Sequence, residues 1–113
     1  MKVESIRAFI PCKDYEISKA FYTEIGFIAE ALTDHLTLLK NGNTTAFLQR
    51  FYDEALAQNF MLQVCVSDIV QAHKLCSGSI HKQKISDISS ETWGKVFYLW
   101  GPSGELLHIT QLS

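Results

Sequence analysis

The sequence predicts an α+β fold made of two copies of a β-α-β-β-β unit, and three features lead there. Each half opens on a strand-like alternation, continues into an Asp-capped amphipathic helix, and closes on strands joined by a glycine turn. The capping residues Asp14 and Asp68 lie 54 residues apart, and the apolar faces of the strands before them superpose at that same shift. Neither half could bury its sheet face alone, so the copies must pack together.

Taken in order, residues 6–12 place Ile6, Ala8, Ile10 and Cys12 on one face and Arg7, Phe9 and Pro11 on the other, the period of a strand. Asp14 caps a helix whose predicted stripe is Ile17, Ala20, Phe21 and Ile25, with Gly26 as its stop. Strands follow at 35–40 and 44–51 around the turn Asn41-Gly42-Asn43. The second half repeats this order. Phe60, Leu62, Val64 and Val66 face one way and Met61, Gln63 and Cys65 the other; Asp68 then caps a helix carrying Ile69, Ala72, Leu75 and Cys76 that ends near Gly78. A hairpin of 96–100 and 106–110 turns on Gly101-Pro102-Ser103-Gly104, and setting 41–49 against 102–110 puts Phe47 opposite His108. The expected organisation is a single domain over 1–113, with one module over about 1–50, a linker over about 51–58 and a second module over about 59–113.

Composition narrows the function. With 47% hydrophobic and 19% charged residues the chain reads as globular rather than disordered. A net charge of -2 without a basic stripe argues against nucleic acid. No apolar run is long enough to span a membrane, which makes a cytoplasmic protein with no membrane partner the expectation. Three cysteines without a CxxC spacing argue against a disulfide framework or a zinc knuckle, and Cys12 and Cys65 read as small buried hydrophobes. Neither a phosphate loop nor a nucleophile elbow is present.

The even-numbered strand faces are the more apolar and should meet the helices. The odd faces carry Arg7 and Phe9 in one copy and Met61 and Gln63 in the other, the mixture of aromatic and polar groups that a ligand cavity uses. The runs PCKDYEISKAFYTEIGF, NFMLQVCVSDI and WGKVFYLWGPSGELLHI resemble the vicinal oxygen chelate superfamily, and most of all its glyoxalase and bleomycin resistance proteins. The resemblance covers nearly the whole chain. It implies tandem βαβββ modules forming a curved mixed sheet around a cavity, and a homodimer.

Metal-using members of that superfamily keep His, Gln or Glu at four cavity positions, two from each module. Those positions here read Arg7, Phe47, Met61 and His108, with Gln49 two residues beyond Phe47. A divalent ion needs three or four imidazole or carboxylate donors in one place, so one histidine does not make a metal site. The other histidines, His35, His73 and His81, do not stand at spacings that would replace them.

The resulting expectation is a metal-free, cofactor-free binding protein without catalytic residues, sequestering a planar or amphipathic small molecule as in antibiotic resistance. Trp93, Trp100, Phe47 and Met61 would wall the cavity, Arg7, Gln49 and His108 would orient polar groups, and Asp53, Glu54 and Glu91 would add charge at its rim. The alternative from the same resemblance is a metal-dependent lyase or dioxygenase using His108.

Overall fold

The computed structural model describes residues 1–79 and 84–113, so His81 lies outside the described residues. The first sheet contains β1 (Phe9–Pro11), β2 (Ile28–Thr33), β3 (Leu36–Asn41) and β4 (Thr44–Gln49), with α1 (Tyr15–Glu24) between β1 and β2. A short helix α2 (Glu54–Asn59) leads to β5 (Met61–Cys65) and α3 (Ile69–Ser77), after which β6 (Ser89–Glu91), β7 (Gly94–Trp100) and β8 (Leu106–Leu112) complete the second sheet. The strand orders are β1-β4-β3-β2 and β5-β8-β7-β6. In each sheet the opening strand pairs parallel to the closing one, and the remaining pairs are antiparallel.

Register confirms the internal alignment residue by residue. Phe9 pairs with Phe47 in the first sheet, and Gln63 pairs with His108 in the second. Because Phe9 and Gln63 are 54 residues apart, Phe47 and His108 occupy equivalent points. The caps repeat as well: Ile17 N–H donates to Asp14 Oδ1 and Gln71 N–H to Asp68 Oδ1, each at 3.1 Å.

Helices cover the even face of β1, as the pattern of the opening strand predicts, and the faces of the neighbouring strands that share its side. Ile10, Leu39, Leu48, Phe97, Leu99, Leu107 and Ile109 are buried in one cluster with residues of α1 and α3. The predicted stripe of α1 is rotated, however. Tyr15, Ser18, Phe21 and Tyr22 are the buried positions, and Ile17 and Ala20 face solvent. Two tyrosines can point inward because each hydroxyl finds a partner, Tyr15 with Thr37 Oγ1 and Tyr22 with Glu105 Oε2.

Three further expectations are corrected. The opening strand is Phe9–Pro11 alone, and Ile6 is 91% exposed on a segment outside any strand. Part of the expected linker is helical, since Asp53 accepts the Leu56 N–H and starts α2. Of the two strand cysteines only Cys12 is buried; Cys65 is exposed because its position is on the odd face.

Candidate ligand-binding site

Both sheets leave one face free of helices, and the side chains on these open faces can be read row by row across the strands. On the second sheet, Gln63, His108 and Tyr98 lie side by side on β5, β8 and β7. The row before it is Met61, Leu106 and Trp100, and the row after it is Cys65, Thr110 and Val96. The His108 ring meets Tyr98 edge to face at 5.0 Å, and its Nε2 is buried with no hydrogen-bond partner among the described residues. A buried ring nitrogen without a partner is costly. The Cys65 thiol donates to Gln63 Oε1 at 3.6 Å, and Lys84 Nζ sits 4.5 Å from the Trp100 ring centre.

The equivalent row on the first sheet is apolar: Phe9, Phe47 and Leu38 on β1, β4 and β3. Phe9 and Phe47 stack at 4.6 Å with 22° between their planes, and the Arg7 guanidinium lies 4.7 Å over the Phe47 ring. Gln49, two residues along β4, shares this face and is half-buried.

The seven predicted site residues fall into three places. Met61, Trp100 and His108 are neighbours on the second sheet, and Arg7, Phe47 and Gln49 on the first. Trp93 stands in the β6–β7 turn, roughly 20 Å along β7 from Trp100 at the usual rise per residue. Within one chain the two tryptophans therefore stand at opposite ends of β7. Among the supposed rim acids, Asp53 caps α2, Glu54 accepts from Gln58, and Glu91 accepts from Ser89 Oγ at the end of the second sheet. The faces are walls without a roof in a single chain, since Met61 is 62% and Phe9 48% exposed. An apolar cleft of about 500 Å³ lies between the modules, bounded by Ile10, Tyr22, Val64 and Leu107 and also touching Gln63 and Cys65. Gln63, which the strand alternation already placed on the cavity face, is joined in the polar row and its rim by Tyr98 and Lys84, which the sequence did not nominate. Their signal is present: Tyr98 is brought beside His108 by the register of a hairpin turning at 101–104.

No protein-family model matches the chain, and no curated protein matches it. Solved structures do. A bleomycin resistance determinant encoded on the transposon Tn5 superposes with a TM-score of 0.81 at 21% identity, covering 98% of this chain and 99% of that one. A bleomycin-binding protein complexed with bleomycin gives 0.80 at 21% identity over 98% and 100% of the two chains. TnmS3, an antibiotic binding protein from Streptomyces sp. CB03234, gives 0.83 at 16% identity over 100% and 99%. The chain has the fold of these bleomycin resistance and antibiotic-binding proteins. At these identities the likeness establishes the backbone, and what the open faces hold has to be read from their own side chains.

The residues present on the open faces do not fit a catalytic metal ion. Arg7 brings a fixed positive charge, Phe47 has no donor atom, and Met61 offers a soft thioether. Beside His108 stand the Gln63 amide and the edge of Tyr98, and Gln49 lies on the other sheet. Among the described residues, no three of His, Cys, Asp and Glu come together as a ligand set.

Proposed function

We propose that this protein binds and sequesters a small planar molecule on its open faces, without a metal and without transforming it. The observation that carries the reading is the division of labour between equivalent positions. One sheet presents a stacked pair of phenylalanines, while the other presents Gln63, His108 with a partnerless Nε2, and Tyr98. Aromatic faces give a flat ligand contact area at low entropic cost, and the polar row gives its edge a fixed hydrogen-bond partner. Bleomycin-binding protein and TnmS3, which share the fold, are binders of antibiotics by their own descriptions, in keeping with such a role.

The open faces also expose Phe9, Met61 and Leu112, each about half or more accessible, and a second copy of the chain is the proposed cover. Trp100 stands beside the His108 row and reports on binding by fluorescence. Titration with planar heteroaromatic compounds should give saturable quenching, weakened about tenfold by His108→Ala and about fivefold by Phe47→Ala. Quenching that is unchanged by both substitutions would place the ligand elsewhere. Sedimentation equilibrium should give a dimer that Met61→Glu converts towards monomer.

A further inference from the structure

The charge on the open faces names the ligand class more narrowly, on the premise that these faces are the binding site. Each face carries a cation laid on an aromatic ring: the Arg7 guanidinium over Phe47 at 4.7 Å, and Lys84 Nζ over Trp100 at 4.5 Å. Neither forms an ion pair among the described residues, whose salt bridges are Lys19–Glu16 and Lys40–Glu30. The acids that share these faces are otherwise engaged. Glu30, in the same row as Leu38 and Phe47, lies 3.9 Å from Lys40 Nζ, and Glu91 accepts from Ser89 at the far end of the second sheet, two rows from His108.

A cation on a ring keeps its N–H groups at the ring's margin, where they can meet an anion carried by a ligand stacked on or beside that ring. The Arg7 fork suits a carboxylate in two-point contact, and a flat anion satisfies the ring and the charge together. A cationic ligand would instead place like charges together on both sheets. We infer that the ligand is a planar aromatic anion, with Arg7 and Lys84 as the residues that select for its negative charge.

Calorimetric titration of the intact protein at pH 7 tests this with one ring bearing three head groups: anthracene-2-carboxylate, anthracene-2-carboxamide and 2-(aminomethyl)anthracene. The carboxylate should bind about tenfold tighter than the carboxamide, and the ammonium compound most weakly. Arg7→Gln and Lys84→Gln should each weaken the carboxylate about threefold and leave the carboxamide unchanged, because both side chains are exposed and the ring contacts remain. Raising the salt should weaken only the carboxylate. If the ring binds with the carboxamide or ammonium head equal to or tighter than the carboxylate, or if neither substitution moves the carboxylate, the charge selection is overturned while the binding face stands. If none of the three binds, the inference and the binding reading fall together.

Discussion

Glu105 offers the sharpest test of how the two modules are joined. Its side chain is fully buried, and it accepts a hydrogen bond from the Tyr22 hydroxyl at 2.7 Å and from the Ser103 N–H at 2.9 Å. Tyr22 belongs to α1 of the first module and Glu105 to the turn before β8 of the second, and the Lys13 N–H donates to Ser103 Oγ at 2.7 Å across the same seam. No cation is paired with this carboxyl among the described residues, so two neutral donors carry its solvation. Gly101 makes room for it: a Cβ there would lie 2.4 Å from the carboxyl carbon. Tyr22→Phe keeps the ring and removes one of the two donors. Hydrogen bonds to charged groups contribute about 1.5–3 kcal/mol, and leaving a buried acceptor unmet costs a similar amount. For a chain of this length, 1 kcal/mol moves the melting temperature by about 4 °C, so Tyr22→Phe should melt roughly 6–12 °C lower. Gly101→Ala should do at least as much damage through overpacking. Thermal unfolding followed by circular dichroism at pH 7 gives the answer. A Tyr22→Phe variant that melts within about 1 °C of the parent would refute the claim that this bond holds the seam.

Other consequences can be checked alongside it. Burial pushes the Cys12 thiol up to about 12 from an ordinary 9.0, so its contribution to stability is complete below pH 9 and is lost as pH climbs towards 12. Urea unfolding should therefore show stability falling between pH 9 and 11 by up to about 1.4 kcal/mol per pH unit from this group, and Cys12→Ala should flatten that slope. Tyr22, also held well above its ordinary value by burial and then by Glu105, should add to the fall above pH 10. In the native protein a thiol-specific disulfide reagent should modify exposed Cys65 rapidly and buried Cys12 only on unfolding, which mass spectrometry of the adduct resolves. Asp68→Ala should remove the cap on Gln71 N–H and cost about 1 kcal/mol, read as a melting temperature about 4 °C lower.

What could be read from the sequence was whatever strand periodicity and caps encode. The alternation at 60–66 chose the correct face because Phe60, Leu62, Val64 and Val66 pack against the core while Met61, Gln63 and Cys65 turn away from it. The equivalence of Phe47 and His108 followed from glycine turns that fix hairpin register. The rotated stripe of α1 was hidden because Tyr15 and Tyr22 count as surface residues until their partners Thr37 and Glu105 are known, and those partners lie 22 and 83 residues away. The site suffered in the same way. Trp93 and Trp100 look alike in sequence, but a seven-residue strand separates them, and only pairing across the sheet shows which stands beside His108. Lys84 could not be nominated at all without the ring beneath it.

The two-module design bears on the proposal that this face binds a ligand rather than transforms one. Two copies of one backbone start with the same side-chain positions, and a metal site needs donors at those positions in both. Here the copies have parted: where the second has Gln63, His108 and Tyr98, the first has Phe9, Phe47 and Leu38. With donors in only one copy the convergence a divalent ion requires is missing, and the other copy presents a flat apolar wall. A polar row and an aromatic row are what a planar molecule with one polar edge needs. On the proposed reading, His108 serves as part of a polar row and does not depend on a neighbour supplying a second metal ligand.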